Sequence, residues 1–223
     1  FIPAWCAGLR ETADRFGGEV SVLLMSDGLN DADRAYREAG ASLPLTVALS
    51  EDKLGIAAVR RQLLTHACDS DADVLVLFDM DDVPEPNALA AHVAALRDAD
   101  ISYGDVTIID VNGVELAPSF FAGADVPEKI DDSRALRFRN FCGFGNTAVR
   151  RTAIPQDCLA IPDDVTAPDW WFFTMLLESG RPARRTAEPV TAYRLHAGNL
   201  LGARPSSAPT DVVARCRAVL AHC

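Results

Sequence analysis

The chain has 223 residues, 49% of them hydrophobic, with 32 acidic and 21 basic side chains and a formal charge of -11. That apolar fraction excludes an intrinsically disordered chain, and the length fits one α/β domain or one domain with a small appendage. A surface this acidic repels nucleic-acid backbones, and no apolar run approaches the roughly 20 residues that span a bilayer, so neither nucleic-acid binding nor a transmembrane segment is expected.

The opening Phe1–Ala4 reads as the end of a strand, which places the natural start upstream and leaves a lost targeting segment open. Leu9–Phe16 reads as a short helix closed by Gly17-Gly18, and Val20–Met25 as a buried strand, apolar and β-branched. Asp31–Ala39 is helical up to Gly40, a suitable C-terminal cap, and Leu45–Leu49 is the next strand. Ile56–Ala67 follows Gly55 as an amphipathic helix with Ile56, Val59, Leu63 and Leu64 on one face. Val74–Phe78 is a continuous apolar run, expected as a central parallel strand covered on both faces. Pro86–Leu96 is a helix with Pro in its first turn, and Ile101–Ile109 a further strand. This β-α-β-α order predicts an α/β fold: a Rossmann-like, mixed but mostly parallel sheet flanked by helices.

After residue 110 the pattern changes. Asn112-Gly113 signals a hairpin, while 131–151 shows no legible regular structure. Asp169–Glu178 reads as a helix, Val190–Arg194 as a strand, Gly198–Pro209 as a loop and Thr210–His222 as a final amphipathic helix. There is no internal repeat and no strong linker, so 1–223 reads as one domain with halves 1–110 and 111–223. The cysteines at 6, 68, 142, 158, 216 and 223 form no C-x-x-C pair, which speaks against a zinc knuckle and suits reduced thiols in the cytosol.

The most informative stretch is Asp79-Met80-Asp81-Asp82. A buried strand delivers Asp79 at its C-terminal end, and Pro84 and Pro86 keep that strand from continuing. In open parallel sheets, ligands bind beyond those ends. Three carboxylates in four residues repel one another unless a hard cation draws them together. Mg²⁺ or Mn²⁺ takes one or two carboxylates and completes its shell with ligand phosphates. The competing reading is a solvated acidic loop at the start of the next helix.

In this setting the sequence resembles a family 2 glycosyltransferase of GT-A fold. Pro3, in IPAW, resembles the proline ending the first strand of the family's IPxYN pattern, with Cys6 where asparagine is usual. Asp27, in MSDG, resembles the aspartate that contacts the nucleotide base. Gly55 and Arg60 fit the family's glycine-to-arginine helix start, and Asp79 and Asp81 its metal-binding DxD. FGNTAVRR (144–151) resembles an acceptor-side segment, and APDWWF resembles the acidic acceptor motif, with Asp169 as catalytic base. YRLHAGN (193–199) resembles a late motif whose histidine, here His196, helps bind metal or diphosphate.

The resemblance implies an inverting transfer from a nucleoside diphosphate sugar, UDP-linked, to a glycan, lipid-linked or small-molecule hydroxyl acceptor. It implies Mn²⁺ or Mg²⁺ at Asp79, Asp81 and His196, and donor contacts from Pro3, Asp27, Arg60, Asp79 and Asp81. The first half would hold the nucleotide sugar and the second, smaller part the acceptor, in a cytoplasmic enzyme or one peripheral at the inner face of a membrane. Trp170 and Trp171 are expected as core anchors rather than sugar platforms. A rival resemblance exists: FDMDDV and SDGLNDA look like two acidic motifs of haloacid dehalogenase-like phosphatases, but in reversed order. A sugar-nucleotide-binding domain without activity is the third reading.

Overall fold

A computed structural model of the chain describes residues 1–28, 31–50, 53–196 and 199. The chain opens with a helix, α1 (Ile2–Phe16), and Pro3 occupies its first turn, where a missing N–H costs nothing. FIPAW is thus the start of a helix and not the end of a strand. A short apolar run looks the same in both, and here the spacing of buried Trp5, Cys6, Leu9 and Ala13 is helical. Gly17 closes α1 in the left-handed region at φ 68°.

Next come β1 (Val22–Asp27), α2 (Ala32–Glu38), β2 (Leu45–Ser50), α3 (Ile56–Cys68) and β3 (Val74–Leu77), close to their expected places. A short β4 (Val83–Pro84) leads to α4 (Ala88–Ala95), whose N-cap is Asn87, so Pro86 lies before the helix rather than in its first turn.

The expected strand over 101–109 is two strands, β5 (Ile101–Tyr103) and β6 (Val106–Ile109), in different sheets. The break is at Gly104-Asp105. A Cβ on Gly104 would stand 2.5 Å from the Val190 side chain and 2.7 Å from Thr186 Oγ1. The Asp105 carboxylate then accepts the N–H groups of Val106, Phe120 and Phe121, which turns the chain out of the first sheet. Gly104→Ala is therefore expected to cost about 1–3 kcal/mol, seen as a lower urea midpoint at unchanged slope. An unchanged midpoint would show that Val190 and Thr186 yield.

β7 (Glu115–Ala117) completes the expected hairpin, whose turn is held by Asp110 Oδ1 accepting the N–H groups of Asn112 and Val114, each at 2.8 Å. The remaining strands are β8 (Lys129–Ile130), β9 (Thr147–Arg150), β10 (Ala183–Arg185) and β11 (Thr191–Arg194), with α5 (Pro168–Glu178) between β9 and β10.

Among the described residues the strands form three sheets: β1-β2, β3-β9-β5-β10-β8 and β4-β11-β6-β7. Pairing is parallel for β1/β2, β5/β10 and β6/β11, and antiparallel for β3/β9, β5/β9, β8/β10, β4/β11 and β6/β7. β3 is thus bonded antiparallel to β9, not centrally parallel, and only Leu75 and Leu77 of it are fully buried. An all-apolar sequence reports burial but not the direction of the neighbouring strand.

The larger core cluster takes Leu64, Leu75, Leu77 and Ile101 from the first half and Val149, Phe172, Phe173 and Leu176 from the second. Full burial of one such side chain contributes about 1.5–3 kcal/mol. A smaller cluster under α1 joins Trp5, Cys6, Leu9, Val22 and Tyr36. Cys6, Cys68, Cys142 and Cys158 are free thiols. Cys216, Cys223, the expected final helix and most of the loop before it lie outside the described residues. Among the described residues no helix is long and apolar enough to cross a membrane.

Candidate functional site

β3 ends at Leu77, and the chain turns so that the Asp82 N–H donates to the Asp79 carbonyl. Each carboxylate of the turn has its own surroundings. Asp79 is paired with the Arg60 guanidinium from α3, which also lies 5.1 Å over the Phe144 ring. Asp81 Oδ2 meets His196 Nε2 at 2.7 Å. Asp82 is 1% exposed, its Oδ1 accepts the Arg194 N–H at 2.8 Å, and its Oδ2 has no hydrogen-bond partner among the described residues. Burial pushes the Asp82 carboxyl up to about 8; the Arg194 N–H opposes this, and the charges of Asp81 and Asp79 add to it. Asp82 is therefore held toward its neutral form, while Asp79 lies against the Arg60 guanidinium and Asp81 against the His196 imidazole.

The loop before β9 faces this turn. A Cβ on Gly145 would stand 3.1 Å from Asp82 Oδ2 and 3.7 Å from Asp79 Oδ2, and one on Gly143 3.6 Å from Asp169 Oδ2. Buried Asn146 fixes the loop: its Oδ1 accepts the Gly143 N–H at 2.7 Å, and its Nδ2 donates to the carbonyls of Gly104 at 2.6 Å and Phe141 at 3.1 Å. Glycines here let backbone approach the carboxylates closely.

Asp169 lies in the first turn of α5, one residue past the helix's first position, so it is not the N-cap; Ala167 is. Asn140 Nδ2 donates to Asp169 Oδ2 at 3.1 Å. Burial raises the Asp169 carboxyl to about 6, while the Trp170 N–H and the Arg60 charge draw it down and Asp79 pushes it further up. Burial and the surrounding carboxylates also push the Tyr193 phenol upward. Trp170 is a core anchor whose indole N–H donates to the Leu136 carbonyl at 2.7 Å.

The fold thus brings Arg60, Asp79 and Asp169 to one glycine loop, and pairs Asp81 of the same turn with His196. The His196 N–H donates to Asn199 Oδ1 at 2.6 Å, and the Phe1 ring lies 5.3 Å from the imidazole. Asp27 ends β1 and its Oδ1 accepts the Leu54 N–H at 2.8 Å, which ties β1 to the segment before α3. Pro3 is exposed in the first turn of α1, so the strand-end position from which its donor contact was expected does not exist. Gly145 and Asn146 fall in the segment 144–151 expected on the acceptor side, whereas sequence reasoning missed Asn140 and Gly143. The signal was the close glycine pair in Cys142-Gly143-Phe144-Gly145-Asn146, a mark of tight backbone approach.

Among the described residues, no three His, Cys, Asp or Glu side chains are grouped so as to hold a metal ion on their own. The Asp81–His196 pair still fits an ion that draws its remaining ligands from phosphate and water. A carboxylate oxygen and an imidazole nitrogen suit Mn²⁺, and Mg²⁺ characteristically keeps few protein ligands.

No protein-family model matches the chain, and no curated protein matches it in sequence. Solved structures do match. S. aureus TarS 1–349 in complex with UDP-GlcNAc superposes with a TM-score of 0.66 at 12% identity, over 100% of this chain and 62% of that one. A second structure of TarS 1–349 gives 0.65 at 14% identity, over 100% and 61%. The mannosyltransferase PcManGT from Pyrobaculum calidifontis, in complex with GDP-Man and Mn²⁺, gives 0.56 at 15% identity, over 87% and 55%. The chain spans less than two thirds of each of these proteins. The fold is the mixed α/β fold of GT-A-type glycosyltransferases, as the sequence motifs imply.

Proposed function

We propose that this chain is an inverting, divalent-metal-dependent glycosyltransferase that moves a sugar from a nucleoside diphosphate sugar, UDP-linked, to a hydroxyl acceptor. The observation that carries the reading is the approach of Asp79, paired with Arg60, and the half-buried Asp169 to one glycine loop, with the Asp81–His196 pair in the same acidic turn as Asp79. Neighbours of the same fold have been solved with UDP-GlcNAc and with GDP-Man and Mn²⁺, which supports a sugar nucleotide and a metal here.

In the proposed reaction the acceptor oxygen bonds to the anomeric carbon as the bond from that carbon to the diphosphate oxygen breaks. The electron pair leaves with the diphosphate, and the acceptor's hydroxyl proton passes to the Asp169 carboxylate. One in-line displacement inverts the anomeric centre. A divalent ion held by Asp81 and His196, with Asp79 on the donor side, would supply Lewis-acid stabilisation of the departing diphosphate. Arg60, stacked on Phe144, is placed to exchange Asp79 for diphosphate oxygens, which its planar fork matches. Asp27 would accept the imide N–H of uracil, and Asn140 holds Asp169 in orientation. A cytoplasmic setting, or one at the inner membrane face, accords with these substrates.

The test is a thermal-shift scan over nucleotide sugars and metals. UDP-linked sugars with Mn²⁺ or Mg²⁺ are expected to raise the unfolding midpoint; at 100-fold excess over Kd the linkage is about 2.7 kcal/mol. Equal stabilisation after chelation would remove the metal from the proposal. Binding without any release of nucleoside diphosphate would leave a sugar-nucleotide-binding domain.

A further inference from the structure

β11 ends on Arg194, two residues before His196, and Arg194 is only 3% exposed. Among the described residues, its guanidinium hydrogen bonds go to main-chain carbonyls. Nε donates to the Asp81 carbonyl at 2.7 Å, and Nη1 donates to the carbonyls of Asp110 and Val111 at 3.2 Å each. The Arg194 main-chain N–H donates to Asp82 Oδ1 at 2.8 Å, so residues 81 and 82 are both bonded to it. Its carbonyl accepts from Asn199 Nδ2 at 3.1 Å, and Asn199 Oδ1 accepts the His196 N–H at 2.6 Å. The Phe1 ring lies 5.1 Å from the guanidinium and 5.3 Å from the imidazole.

Both members of the Asp81–His196 pair are thus tied to one residue. A single bond reaches Asp81, and two bonds through Asn199 reach His196. Stability alone does not account for an arginine here. A guanidinium is expensive to desolvate, and an apolar side chain of similar volume often serves a core as well. What arginine supplies is a rigid planar fork that bonds carbonyls from two chain segments at once, here the acidic turn and the Asn112-Gly113 hairpin. Holding the Asp81 carbonyl fixes the peptide plane after Asp81, and with it the direction in which the Asp81 carboxylate leaves the chain.

We propose that Arg194 and Asn199 are positioning residues for the metal: they hold Asp81 and His196 in the register that binds a divalent ion beside the diphosphate. The inference rests on the metal-dependent glycosyltransferase reading above, and it gives neither residue a contact with ion or substrate. Partners that orient metal ligands from behind change metal affinity by about 10–100-fold when they are lost.

The test titrates Mn²⁺ into the full chain with UDP or GDP present and reads free Mn²⁺ by electron paramagnetic resonance, with a urea midpoint measured alongside. Arg194→Lys keeps the charge and loses the fork. Asn199→Ala, at the partly exposed end of the brace, leaves the buried guanidinium in place. Each is expected to raise the Mn²⁺ Kd by about 10–100-fold, and excess Mn²⁺ should recover most of the lost transfer. A brace that serves only the fold would lower the urea midpoint and leave the Kd of the folded protein unchanged. A Kd equal to the parent's in Asn199→Ala, or in folded Arg194→Lys, overturns the inference alone. Should Arg194→Lys fail to fold, Asn199→Ala decides it. A parent that binds no Mn²⁺ with either nucleotide overturns it together with the metal-dependent reading.

Discussion

Asp169→Asn is expected to lower sugar transfer by about 10²–10⁴-fold while the donor still binds. Asparagine keeps the shape and can still meet Asn140, but it cannot take the acceptor's proton. The unsubstituted protein should show the same requirement in its pH profile. Burial raises the Asp169 carboxyl from the ordinary aspartate range to about 6. The base works only when ionised, so activity should rise with pH, by about tenfold per unit below 6, and level off above it. The Asn140→Ala variant tests how the carboxylate is held: it should lower kcat more than it raises the donor KM. Undiminished transfer by Asp169→Asn would remove Asp169 from the base role, and another group would have to carry the rising limb.

Asp81→Ala should have the second large effect. Asp81 is the carboxylate that meets His196 Nε2, and its loss leaves one imidazole where a pair stood. If the ion contributes about 4 kcal/mol to the departing diphosphate, transfer falls by about 10³-fold. The variant should also lose the metal-dependent part of the thermal shift produced by a UDP-linked sugar. His196→Ala should show the same signature at smaller amplitude, because a carboxylate remains. Asp79→Asn separates the roles within the turn: it should weaken donor binding and release Arg60 from its ion pair. Full transfer in a strong chelator, or a thermal shift in Asp81→Ala equal to that of the parent, would sink the metal assignment.

The two predictions rest on residues found by different routes. Asp79 and Asp81 stand out because an apolar strand ends on them, and Asp169 because a helix start follows an acceptor-like motif. The DxD resemblance singles out Asp79 and Asp81 and leaves Asp82 aside, but it does not say what surrounds each carboxylate. Three adjacent carboxylates look alike in a string of letters and suggest mutual repulsion that an ion must relieve. The fold relieves it otherwise: burial holds Asp82 toward its neutral form, Arg60 sits against Asp79, and His196 against Asp81. His196 lies 115 residues from Asp81, so only chain folding makes them neighbours.

By itself the sequence determined the α/β class, most helix and strand positions, the Asn112-Gly113 hairpin, and the residues of the acidic turn. These follow from local periodicity, turn chemistry and the polarity of single side chains, which act over a few residues. Tertiary structure decided the rest. It made Ile2–Ala4 helical, because the buried face of α1 repeats at helical spacing over Trp5, Leu9 and Ala13. It split 101–109 at Gly104, where Val190 and Thr186 leave no room for a Cβ. It set β3 antiparallel to β9 and folded the glycine loop over Asp79, Asp82 and Asp169. Each of these outcomes depends on a contact between residues far apart in the chain, and the free energy of such a contact is not written in the neighbouring letters.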